Sequence, residues 1–130
     1  MQATIKVESR KQLIEIIDAS DTNADLNYLD VSGLTDMSQI FKGTGFNGNV
    51  SDWDVSNVTD MHEMFAMSKF DGNISQWDVS GAENMNRMFY NSKFDQDISL
   101  WNVSSVRDMG FMFDKSQFTG DISQWTKQPQ

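Results

Sequence analysis

Apolar side chains return along this chain with a period of 24 residues. Trp53, Trp77, Trp101 and Trp125 mark the beat, and Leu29 holds the same register one period earlier. The period divides the chain into four units, 29–52, 53–76, 77–100 and 101–124, with a fifth begun at Trp125. Six registers are identical in all four units: Val31/55/79/103, Ser32/56/80/104, Met37/61/85/109, Phe41/65/89/113, Phe46/70/94/118 and Ser51/75/99/123. Two more are always apolar, Val50/Ile74/Ile98/Ile122 and Ile40/Met64/Met88/Met112. Units that keep the same residues at the same registers meet the same surroundings, as the members of a stack do.

Two shorter periods run inside each unit. Trp53 and Val55 alternate with Asp54 and Ser56, which predicts a short strand with one buried face. Met61, Met64, Phe65 and Ser68 then fall at the spacing of a short helix. Thr59 or Asn57 is its expected cap, and Asp60 stands in the first turn, where the dipole favours a carboxylate. "FDGNIS" at 70–75 carries turn chemistry between two apolar anchors. One such unit cannot shield its own apolar face. Its neighbours must bury its stripe and pair with its strand in a parallel ladder.

The ends depart from the repeat. Residues 9–20, "SRKQLIEIIDAS", read as an amphipathic helix with Ser9 as N-cap and Leu13, Ile14, Ile16 and Ile17 on its apolar side. It is the expected N-terminal cap, with 3–7 as a strand beside it. At the other end "WTKQPQ" offers only Trp125 as a lid and Pro129 against further pairing. So thin a cap leaves an open edge, and the expected remedy is a homodimer of C-terminal unit on C-terminal unit.

The phrases "DVSNVTDM", "MF", "SKF" and "DIS" followed by Trp resemble the BspA-like bacterial surface-protein repeats, a domain of unknown function also found in mycoplasma lipoproteins. The resemblance covers about 26–125. It implies an α/β fold, a right-handed leucine-rich-repeat-like solenoid of four 24-residue coils. A short parallel sheet, short helices and an N-terminal capping helix would complete it. It also implies a place on the cell surface or in secretion, with roles in adhesion and protein binding.

A length of 130 residues suits one domain, 1–130, with 1–28 as cap, 29–124 as repeats and 125–130 as a short end. The net charge of -9 and pI near 4.3 argue against nucleic acid and against an anionic membrane surface. Cysteine is absent, which removes disulfides and thiolate metal sites. No apolar run is long enough to span a bilayer, and "MQATIKVESRKQLIEI" does not read as a signal peptide. That last observation supports a second reading, a cytoplasmic binding or inhibitor-type protein.

Catalytic parts are missing from the sequence. His62 is the one histidine, so triads and zinc sites lack members, and no enzyme, cofactor or metal is expected. Asp30, Asp54, Asp78 and Asn102 form a column in which like charges repel unless backbone N–H groups, the serine column or a cation hold them. Hydrogen-bonded structural Asp is the favoured reading. Asp95 and Asp97 give a weak calcium-like spacing without a completing Glu. A carbohydrate or calcium module is thus a third reading, resting on the Trp and Asp columns.

Where a repeat binds, the message lies in its variable registers. Three bulky residues interrupt polar columns: Tyr90 among Lys42, Ala66 and Asp114; Leu100 among Asp52, Gln76 and Gln124; Phe111 among Gln39, Glu63 and Arg87. Tyr90, Leu100 and Phe111 are the candidates for contact with a protein partner.

Overall fold

The computed structural model describes residues 4–129. Its named elements are β1 (Ile5–Lys6), α1 (Arg10–Ala19) and β2 (Leu29–Asp30). β1 runs parallel to β2 with Ile5 opposite Leu29. Ala3, the first residue of the expected N-terminal strand, lies outside the described residues. Ser9 caps α1, its side chain accepting from the Gln12 N–H at 3.1 Å. Leu13 and Ile17 are buried against the first unit, while Ile14 and Ile16 are partly covered.

Beyond β2, successive units are joined by parallel bridges that link Asp36 to Asp60, Asp60 to Asn84 and Asn84 to Asp108. The joining segment is the one expected to be helical. It is instead a run of overlapping turns. Met64 donates to the Met61 carbonyl, Ala66 to Glu63 and Ser68 to Phe65, each a three-residue span. Glu63 and Met67 lie in the left-handed region, both at φ 54°, and a residue there ends any α-helix. Four N–H groups point out of the unit: Met61, Glu63, Phe65 and Met67 donate to the carbonyls of Asn84, Asn86, Met88 and Tyr90. The spacing of Met61, Met64, Phe65 and Ser68 still marks the buried side, because a chain of tight turns also returns every three or four residues.

At the Trp register the expected strand makes no ladder after the first unit. The indoles tie the units together there. Trp53, Trp77, Trp101 and Trp125 donate Nε1–H to the carbonyls of Leu26, Val50, Ile74 and Ile98 at 2.9–3.0 Å. Leu29 has no ring to offer, and at that register the backbone pairs instead, with β1.

The core is a set of columns. Phe41, Phe65, Phe89 and Phe113 stack with centroids 5.3, 5.5 and 5.6 Å apart. Phe46, Phe70, Phe94 and Phe118 form a second column at 6.3–6.4 Å. The Trp and Val columns are buried, so the indoles are core and bonding groups, closed to a flat ligand. In the last unit Phe113, Phe118 and Ile122 are only partly covered. Trp125 is buried, its ring 6.3 Å from that of Trp101, and Lys127 Nζ donates to the Val106 carbonyl at 2.7 Å.

Each "F-x-G" turn folds the Phe ring back over the glycine. A Cβ at Gly72 would meet the Phe70 ring at 2.7 Å, whereas one at Gly48 would lie 2.0 Å from the Ala24 backbone carbonyl. A ring can shift, and the equivalent turn carries Gln96 two residues after Phe94, but a packed carbonyl cannot. Gly48→Ala is therefore expected to cost about 1–3 kcal/mol by overpacking, and Gly72→Ala clearly less. Urea denaturation of the two variants compares them, and equal midpoints would show that the Ala24 contact relaxes freely.

Candidate protein-interaction surface

The left-handed residues fall into two columns, Gln39/Glu63/Arg87/Phe111 and Gly43/Met67/Asn91/Lys115. For L-residues this conformation costs about 1–2 kcal/mol each. In the first three units the N–H at each of these positions donates to a carbonyl of the following unit. In consequence the side chains at these registers stand on the face outside the core. Their chemistry divides the face in two.

Units one and two are self-satisfied. Lys42 Nζ lies 2.7 Å from Glu63 Oε2, and Gln39 Nε2 donates to Glu63 Oε1 at 3.1 Å. The Lys42 contact holds the Glu63 carboxyl below its ordinary range. At the same registers, units three and four show no such pairing among the described residues. The Arg87 guanidinium lies 5.0 Å from the Phe111 ring centroid and 5.9 Å from that of Tyr90, and Lys115 Nζ sits 6.0 Å from Tyr90. Among the described residues neither cation forms an ion pair. Phe111 is 53% exposed, and Met67 beside Tyr90 is 45% exposed. Two uncompensated cations and exposed apolar surface thus meet on a chain of net charge -9.

Of the three residues expected from sequence, Tyr90 and Phe111 belong to this cluster and Leu100 does not. Among the described residues Tyr90 and Phe111 form no stacked ring pair, and the Arg87 guanidinium lies near both. Leu100 stands in the turn before Trp101, 79% exposed, as an isolated apolar side chain. Arg87, Lys115 and Met67 are the members that sequence reasoning missed. The signal was present, since Arg87 and Phe111 share a register one period apart.

The acidic columns are occupied by backbone. Asp30, Asp54 and Asp78 each accept from the N–H and hydroxyl of the serine two residues on, and Asn102 accepts from the Ser104 N–H. The turn column repeats this, with Asn49, Asn73, Asp97 and Asp121 accepting from Ser51, Ser75, Ser99 and Ser123. Asp95 accepts from the Thr119 N–H at 2.8 Å. Among the described residues no group of three or more His, Asp or Glu is placed to hold a metal ion. His62 is half-buried against Asp60, with Nδ1 at 2.7 Å from Oδ1, and lies in a turn run, not in the expected helix.

These bonds set an acid limit. The Ser32 and Ser80 hydroxyls lower Asp30 and Asp78 from the ordinary aspartate value, and the Ser99 and Ser123 N–H groups do the same for Asp97 and Asp121. A carboxylate lowered by folding adds stability above its unfolded pKa and loses it as pH falls through the folded value. Stability should hold from pH 7 down to about pH 5 and fall below about pH 4. Asp78→Asn should leave neutral-pH stability within about 0.5 kcal/mol, since Asn keeps the turn bond, and should flatten the acid limb. Urea denaturation across pH measures both, and an unchanged acid limb would exclude Asp78 as a contributor.

Among the described residues no helix is long and apolar enough to cross a membrane. Residues 11–125 match the model of a family described as mycoplasma protein of unknown function, DUF285. No curated protein and no solved structure matches the chain.

Proposed function

The chain belongs to that mycoplasma family of unknown function, and we propose that it is a non-enzymatic repeat module that binds another protein. The finer placement, within BspA-like adhesin-type surface or secreted proteins with a right-handed leucine-rich-repeat-like solenoid, belongs to the same proposal. Its support is the shared repeat phrases, together with parallel bridges from unit to unit.

One observation carries the binding reading, the cluster of exposed Arg87, Phe111 and Lys115 around half-buried Tyr90 on a face otherwise paired within itself. Desolvated aromatic and Arg side chains supply most of the energy of protein interfaces, and a cation over a ring strengthens when water leaves. The partner surface that fits offers carboxylates to Arg87 and Lys115 and an apolar side chain to Phe111.

The test begins with capture from host and environmental lysates, followed by affinity measurement with the purified captured protein. Arg87→Glu and Phe111→Ala should each weaken binding about tenfold or more, with urea midpoints close to that of the parent chain. Leu100→Ala should leave affinity unchanged. Retained affinity in both cluster variants would move the binding surface elsewhere.

A further inference from the structure

The chain has nine methionines, of which Met1 lies outside the described residues. Six of the other eight, Met37, Met61, Met64, Met85, Met88 and Met112, are fully buried, and Met109 is only 8% exposed. Met67 differs, at 45%. Its neighbours Ala66 and Ser68 are both buried, so one outward side chain stands between two that face in. The backbone at Met67 is left-handed, φ 54°, and the rest of its column holds Gly43, Asn91 and Lys115. The Met67 N–H donates to the Tyr90 carbonyl at 2.8 Å, which fixes the residue on the face that carries Tyr90.

In a chain without cysteine, the thioether is the side chain that takes up an oxygen atom reversibly. Hydrogen peroxide supplies that atom. A sulfur lone pair attacks one peroxide oxygen, and an S–O bond forms as the O–O bond breaks. The departing hydroxide takes the proton left on the transferred oxygen and becomes water. Sulfur loses two electrons and peroxide gains two. At Met67 the new oxygen stays hydrated. At Met64 or Met88 it would sit in a packed column without a hydrogen-bond partner, and peroxide reaches those sulfurs only when the units open.

We propose that Met67 is the peroxide-reactive methionine of the folded chain, and that its sulfoxide is a reversible change of polarity on the outward face beside Tyr90. The product replaces apolar surface with a chiral, polar group. It leaves the stacked core alone, since Met67 is no member of that core. The site rests on the contrast between one exposed sulfur and seven buried ones. It requires no partner at this face, so it and the binding reading above can fail separately.

The test treats the full chain with dilute hydrogen peroxide and follows each methionine by mass spectrometry of its peptide. Met67 should oxidise about tenfold or more faster than any of the seven buried methionines. In unfolding urea the eight rates should converge to within about threefold. The chain oxidised at Met67 should keep its urea midpoint within about 0.3 M. Its amide NMR shifts should change at Met67 and Tyr90 and stay fixed at Phe41 and Phe46. Methionine sulfoxide reductases, one for each epimer, should restore the parent spectrum. Met67→Leu, treated in the same way, should show none of these shift changes, which ties them to this sulfur. A buried methionine that oxidises as fast as Met67 in the folded chain would overturn the site. Unfolding by the single sulfoxide, an unmoved Tyr90 amide, or a sulfoxide that the reductases leave in place would overturn its role as a reversible surface change.

Discussion

Phe89→Ala is expected to destabilise the chain by about 3–5 kcal/mol, the range for emptying a large aromatic from a packed core. The ring is fully buried and stacks on Phe65 at 5.5 Å and Phe113 at 5.6 Å, with Phe94 at 4.4 Å in the second column. Its loss leaves a gap that neighbouring units cannot close without breaking the ladder, since Phe89 N–H is itself bonded to the Met112 carbonyl. Phe111→Ala removes an exposed ring from the adjoining unit and should cost less than about 0.5 kcal/mol. Urea denaturation compares the two. Equal losses would place Phe111 in the core and remove it from the interaction surface.

Trp77→Ala should fall in the same range, about 3–5 kcal/mol, and a companion variant separates its causes. The Trp77 indole is buried, lies 6.4 Å from Trp53 and donates to the Val50 carbonyl at 3.0 Å. That carbonyl also accepts from the Trp53 N–H at 3.2 Å, so losing the indole does not orphan it. Trp77→Phe keeps an aromatic ring but breaks the tie, and should cost about 1–2 kcal/mol from one hydrogen bond and the lost area. If Trp77→Phe is as damaging as Trp77→Ala, the indole bond and not the volume holds this corner. If it is neutral, the bond contributes nothing net.

Length of period, residues of the core and the N-terminal helix were all legible in the sequence. The reason is that each is a matter of which side chains avoid water, and recurrence at 24 residues reports that directly. Ser9 as N-cap followed from local chemistry for the same reason, a hydroxyl placed before an apolar-periodic run. The Asp column, although expected on a strand face, was legible as hydrogen-bonded structural Asp, because the serine two positions on is part of the same local bond.

Tertiary structure alone decided how the backbone spends its hydrogen bonds. The spacing of Met61, Met64, Phe65 and Ser68 is shared by an α-helix and by a chain of tight turns. Only the neighbouring unit, by accepting from Met61, Glu63, Phe65 and Met67, selects the second. The same choice turned Glu63, Arg87 and Phe111 into left-handed residues that face outward, although nothing about Glu, Arg or Phe favours that conformation. Hence Phe111 and Tyr90 stood out as bulk in polar columns, whereas Arg87, although it shares the Phe111 register, becomes a bridge only once the units lie side by side. Leu100 passed the same sequence filter yet stands alone, since its register sits in the turn before Trp101. A column can be counted along a chain, but a joint between units is a relation across 24 residues whose donors and acceptors exist only once the units lie side by side.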